Sequence, residues 1–168
     1  ARATEMALVG NHLYILLQDL SKTFKATTEG KVAIVDVTTN TLVDADPAEA
    51  GTQAILLKGR NPTSIIYNAS LGRLFITDTG FFDDALNNDP NTAFGGIETV
   101  EVATNKSLGI VLDDLKFGGY LFSLAFVSDT LASVTVNAKT IATFNPATLS
   151  VLEKSLYTTA SGFMPEIL

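Results

Sequence analysis

A hairpin that the chain spells three times limits what it can fold into. "KVAIVDVTTNTL", Lys31 to Leu42, alternates apolar residues up to an acidic one, turns at Thr-Asn and begins a fresh strand. "IETVEVATNKSL", Ile97 to Leu108, repeats that order, and "TIATFNPATLSVL", Thr140 to Leu152, repeats it more loosely. In the last copy Asn145 stands where Asp36 and Glu101 stood. A unit recurring at a fixed period is the signature of a repeat architecture, in which each unit must stack on a neighbour to bury its apolar faces.

A second segment recurs between these hairpins. "GNHLYILL", "GRLFITDTG" and "SDTLASVTV" each read as a tight turn followed by a strand. Aligning Leu13, Leu74 and Leu131 gives spacings of about 61 and 57 residues, in the range of the longer blade-type repeats. An apolar run precedes each one ("EMALV", "PTSIIY", "LFSLAFV"), and "GFMPEIL" resembles a fourth start of that run. Val, Ile, Thr, Phe and Tyr fill the runs while Gly and Pro separate them, which is strand chemistry. The chain is therefore read as all-β, and the short stretch Phe81 to Asn88 is the best helical candidate it offers.

The middle cycle shows the order most clearly. Strands are expected at Pro62–Asn68, Arg73–Asp78, Gly96–Ala103 and Leu108–Asp114, joined by "ASLG", a long loop and "TNKS". Four antiparallel strands with apolar residues on both faces make a β-propeller blade. The cycles fall at about residues 5–58, 62–114 and 121–157, with 162–168 starting a further strand. "DADPAEAGTQ", Asp44 to Gln53, interrupts the outer strand of the first. Propellers close with about 4 to 8 blades, so three cycles predict an incomplete ring, part of a larger assembly. The alternative architecture for the same hairpins is an open β-sandwich.

"GKVAIVDVTTNTLV", "NPTSIIYNASLGRLFITDTG" and "GGIETVEVATNKSLG" resemble the YVTN-repeat and lactonase-like bacterial β-propellers over nearly the whole chain. Phe75-Ile76-Thr77-Asp78 stands in for the tetrad of that group, and Leu16 and Thr135 occupy comparable places. The resemblance implies an extracytoplasmic location, in the periplasm, at the cell surface or secreted. Lactonase-like members are expected to hold a central metal on acidic and amide ligands, and no residue of this chain is matched to those ligands.

The formal charge of −7, from 11 Lys and Arg against 18 Asp and Glu, argues against a nucleic-acid partner, which needs basic clusters. No run approaches the roughly 20 apolar residues of a membrane span. "ARATEMALV" lacks the charged start and hydrophobic block of a signal peptide. Without Cys, disulfides, thiol catalysis and Cys-type zinc sites are excluded.

Candidate sites concentrate in the loops joining second and third strands, Gln18 to Gly30 and Asp78 to Gly96. Long loops on a rigid scaffold commonly carry binding. Phe81, Phe82 and Phe94 are either a cover for the end of the core or a partner-binding surface. Asp78, Asp83, Asp84, Asn88 and Asp89 form a candidate calcium site, since calcium takes 6 to 8 oxygen ligands that closely spaced Asp and Asn supply. The spacing is not that of an EF-hand loop, and Asx-turn and capping chemistry accounts for the same residues. Asp113 and Asp114 would join such a site or be solvated. No other cofactor is indicated. His12, the single histidine, sits at a tight turn without a triad motif around it, and Asp36 and Glu101 recur as turn-bonding residues.

The expected function is a non-catalytic binding or scaffolding propeller module, completed by further blades or by a protein partner. The competing expectation is a fragment of a metal-dependent lactonase-like hydrolase.

Overall fold

The computed structural model describes residues 1–21, 28–81, 94–160, 162–164 and 167. Three antiparallel sheets follow one another along the chain, each built in sequence order. Blade one comprises β1 (Arg2–Val9), β2 (His12–Gln18) and β3 (Glu29–Asp36), whose outer edge is shared by β4 (Thr41–Val43) and β5 (Ile55–Arg60). The acidic insertion after Val43 divides that outer strand in two, as its Pro, Gly and small residues predict. Blade two comprises β6 (Pro62–Asn68), β7 (Arg73–Asp78), β8 (Gly96–Glu101) and β9 (Lys106–Asp113), followed by a 3-10 turn at Asp114–Lys116. Blade three comprises β10 (Leu121–Ser128), β11 (Leu131–Val136), β12 (Thr140–Asn145) and β13 (Ser150–Thr158). Among the described residues no helix is long and apolar enough to cross a membrane.

Turn chemistry sets these hairpins. The loop between Val9 and His12 has two residues and places Gly10 at φ 58°, the positive φ that a type II′ turn asks of its first central residue. The outer hairpins place Asn40, Asn105 and Leu149 at φ 56°, 54° and 53°. Asn tolerates that left-handed region; Leu reaches it at a cost of about 1–2 kcal/mol. The recurring residue four positions earlier braces two of these turns through backbone amides. Asp36 accepts from the amides of Thr38 and Thr39 at 2.7 and 3.3 Å, and Asn145 from those of Ala147 and Thr148 at 2.9 and 3.1 Å. Glu101 takes the Thr104 hydroxyl instead, at 2.7 Å. The Thr38 hydroxyl, donating at 2.6 Å, and then the amides hold the Asp36 carboxyl below its ordinary value.

Strand pairing fixes which positions are equivalent. Leu13, Leu74 and Ala132 lie opposite Val35, Val100 and Phe144. The third cycle is therefore offset by one residue from the alignment on Leu131, because its first hairpin turns through Asp129-Thr130 without a glycine. Leu16, Thr77 and Thr135 are equivalent as expected, opposite Val32, Ile97 and Ile141.

Blades pack face to face in two seams. The first packs Tyr14, Leu16, Val32, Ile34 and Leu57 of blade one on Ile65, Leu74, Ile76 and Val100 of blade two. The second packs Phe75, Ile97 and Leu112 of blade two on Leu124, Val134, Ala142 and Phe144 of blade three. Each such side chain contributes about 1.5–3 kcal/mol on full burial, so the seams, rather than the separate sheets, hold the fold. Hydroxyls on the inner strands tie them further. Thr63 donates to the Phe122 carbonyl across the second seam at 2.5 Å, and Thr77 reaches the same oxygen at 3.1 Å.

Candidate functional site

The chemistry-bearing residues gather at one end of the first seam, where β5, β7 and β8 meet. Ile76 lies opposite Glu98, and Asp78 opposite Gly96, so both acids project from blade two toward blade one. Glu98 is fully buried. Its two oxygens accept the Lys58 amide at 3.0 and 2.9 Å, and one also accepts the Gly59 amide at 2.8 Å. The Ser107 hydroxyl donates to the other oxygen. These donors come from both sides of the seam, which makes Glu98 a charged clasp between blades.

Asp78 is buried to 0% exposure, and neither of its oxygens meets a donor, so its bond to Glu98 requires its own proton. Its carboxyl lies against the bare Cα of Gly59, where a Cβ would come within 2.1 Å of the carboxyl carbon. Burial first, and the Glu98 carboxylate second, push its pKa well above the usual carboxylate range. Asp78 therefore keeps its proton. In blade one the positions of Asp78 and Glu98 are Leu17 and Ala33, and in blade three they are Val136 and Ala142. The acid pair is an addition peculiar to blade two, because the repeat itself is built with apolar residues there.

A second buried acid lies close by. Asp114 is 2% exposed, its Oδ1 has no partner, and a Cβ on Gly95 would meet its Oδ2 at 2.5 Å. Burial and the neighbouring Asp113 push its pKa up to about 7. Asp113 caps the 3-10 turn by accepting the Leu115 amide at 2.8 Å. Of this pair, Asp114 is thus sealed beneath Gly95 rather than solvated, while Asp113 is part-exposed and caps the turn.

Arg60 closes the end of the seam. Its guanidinium lies 4.0 Å from the Phe94 ring centroid and bonds Glu29 at 3.2 Å, and its amide donates to the Phe94 carbonyl at 2.9 Å. A cation over an aromatic face is attractive, and here it fixes Phe94, half-buried, at the end of the core. Beside it runs a cleft of about 750 Å³ lined by Glu29, Lys31, Lys58, Phe94 and Ile110, among others. Its charges are of both signs, so its electrostatics favour neither anions nor cations.

Phe81, three residues beyond β7, is half-buried. Phe82, Asp83, Asp84, Asn88 and Asp89 lie outside the described residues, so of the candidate calcium ligands only Asp78 is placed. Among the described residues no three acidic or imidazole side chains converge as a metal site. His12 lies opposite Asp36 and edge-on to Tyr14. Sequence reasoning passed over Glu98. Its signal was an acid in the middle of a strand whose neighbours Ile97 and Val100 are core residues.

Neither protein-family models nor curated protein sequences give a match to this chain. Among solved structures it is similar to BamB from Moraxella catarrhalis, with a TM-score of 0.54 and 14% sequence identity. The alignment covers 97% of this chain and 36% of that one, so the chain spans about a third of the protein it resembles. With the three blade-like sheets and their face-to-face seams, this likeness shows an all-β, propeller-like fold.

Proposed function

We propose that this chain is a non-catalytic scaffolding section of a β-propeller, which binds further sheet structure through the open face of blade one. The observation that carries this reading is the composition of that face. Leu8, Leu13, Val35 and Leu42 form one cross-strand ladder and Met6, Ile15 and Ala33 a second, all apolar. Met6, Leu8 and Leu42 are 59%, 61% and 63% exposed. Positions equivalent to Leu13, Ile15, Ala33 and Val35 are buried in the seams of blades two and three. An exposed apolar face of this extent marks an interaction surface. The sealed acids reach no substrate, and their bonds are directed at the seam, which suits a structural role. The resemblance to YVTN-type propellers supports an extracytoplasmic setting for the assembly.

Methionine oxidation tests the reading. Met6 is to be oxidised with dilute peroxide in the isolated chain and in material purified natively, with mass spectrometry as the readout. Protection of Met6 only in the native material is expected. Equal reactivity in both, with a native mass of 17.8 kDa, would sink it.

A further inference from the structure

The last described residues lie on blade three in the place that the next inner strand takes beside a blade. Met6, Ile65 and Leu124 are equivalent, opposite Ile15, Ile76 and Val134, so Glu5 and Ser123, one position earlier, are equivalent too. Glu5 accepts the Ile65 amide of the following blade at 2.6 Å, and Ser123 accepts the Ile167 amide at 3.1 Å. Ile167 therefore stands where Met6 of a following blade one would stand. Met164 donates its amide to the Ala138 carbonyl at 2.6 Å, and the Phe163 ring lies edge-on to Phe122 with 5.8 Å between centroids. The same face is uncovered at its outer strand. Tyr157, opposite Ile141, is 57% exposed, whereas Leu112 and Ile55 at the equivalent positions are buried in the seams.

We propose that this face of blade three receives blade one of a second copy, head to tail, and that the segment carrying Phe163, Met164 and Ile167 is a strap that must leave the slot first. The proposal rests on the scaffolding reading above and names the occupant of blade one's open face. The second seam is its template. There Phe75, Thr77, Ile97, Thr99 and Leu112 of blade two meet Leu124, Val134, Ala142 and Phe144 of blade three. Blade three presents Ser133, Thr135, Ile141, Thr143 and Tyr157 at the first set of positions, and blade one presents Met6, Ile15, Ala33 and Val35 at the second. Hydroxyls on an apolar face are a pairing that the fold already makes. Thr99 is fully buried there with its hydroxyl unpartnered, and Thr77 reaches the Phe122 carbonyl. Met6, Leu8 and Tyr157, each more than half exposed, gain burial when the two faces meet. Lys31, opposite Leu17, stands at the position of Thr140, which stays half-exposed beside the second seam, so its ammonium keeps its water. The strap and an incoming β1 need the same Ser123 hydroxyl and the same space, so one excludes the other.

Loosening the strap in the 168-residue chain tests this. Met164→Pro with Ile167→Pro removes both amides, and Phe163→Ala removes the ring contact without a proline, so it decides the matter if the proline variant unfolds. Light scattering over a concentration series reads the mass. The unsubstituted chain is expected at 17.8 kDa. Each strap variant is expected to self-associate with a constant about tenfold higher, equivalent to about 1.4 kcal/mol. Adding either Met6→Glu or Tyr157→Glu is expected to return it to the chain mass, because a head-to-tail contact needs both faces. Strap variants that stay monomeric while circular dichroism shows intact sheets would overturn the proposal. So would association that survives either glutamate, or that the unsubstituted chain shows equally. Met6 protected in native material alongside monomeric strap variants would remove the second copy and leave the scaffolding reading standing.

Discussion

Asp78 and Glu98 face each other across one β7–β8 register step, both fully buried, and only Glu98 has donors for its oxygens. Two carboxyl groups so placed cannot both ionise cheaply in a dry seam. The unfolded chain loses the Asp78 proton near the ordinary Asp value of 3.8, whereas the folded chain keeps it to a much higher pH. Over that interval the native state binds more protons than the unfolded one, so stability falls as pH rises. Asp78→Asn removes the titration and supplies an amide donor to Glu98. The variant is expected to be more stable at pH 7 by roughly 1–3 kcal/mol, with a flatter pH dependence. Urea unfolding at several pH values checks this; a variant with an unchanged slope would refute the pairing.

Asp114 adds a second, separable step. Its folded pKa of about 7 lies above the ordinary 3.8, so its destabilising contribution builds between pH 4 and 7 and is complete above. Asp114→Asn should remove its own share of the slope between pH 4 and 7 and leave the share that belongs to Asp78. The double variant Asp78→Asn with Asp114→Asn should lose both. A single variant that flattened the whole curve would mean that one group, not two, titrates.

Glu98 should be the costly residue to change. Its carboxylate accepts from Lys58 and Gly59 of blade one and from Ser107 of its own blade. Glu98→Gln keeps the shape but turns an amide nitrogen toward those donors. A loss of about 2 kcal/mol is expected from weakening a charge-assisted set of bonds, read as a lower denaturant midpoint without a change in slope. A neutral result would mean that the clasp contributes nothing to the seam.

The repeat was legible in the sequence because it is carried by turn residues and alternation. Gly10, Asn40 and Asn105 announce where the backbone must turn left-handed, and the strand limits in blade two follow from them closely. The third cycle was harder, since Asp129-Thr130 turns without glycine and Leu149 takes the place of asparagine. That one-residue offset hid the equivalence of Ala132 with Leu13 and Leu74. The buried acids were obscured for a different reason. Asp78 and Asp114 flank a stretch rich in Asp and Asn that reads as loop chemistry, and only packing against Gly59 and Gly95 shows that they are sealed. No local pattern encodes which blade face a residue meets, so the placing of Asp78 and Glu98 together in the first seam emerged only with the register.

The equivalent turn residues Asn40 and Asn105 allow turn strain to be separated from seam bonding. Both hold a left-handed φ, but Asn105 also accepts the Tyr14 hydroxyl at 3.1 Å across the first seam. Replacement of either by Ala leaves an L-residue in that conformation, at about 1–2 kcal/mol. Replacement by Gly relieves the strain, so Asn40→Gly should be nearly neutral. Asn105→Gly should still cost about 1–2 kcal/mol, because the buried Tyr14 hydroxyl loses its acceptor. Tyr14→Phe in the Asn105→Gly background should recover most of that loss, since no orphaned hydroxyl remains. If Asn40→Gly and Asn105→Gly unfold at the same denaturant concentration, the Tyr14 bond does not join blade one to blade two in solution.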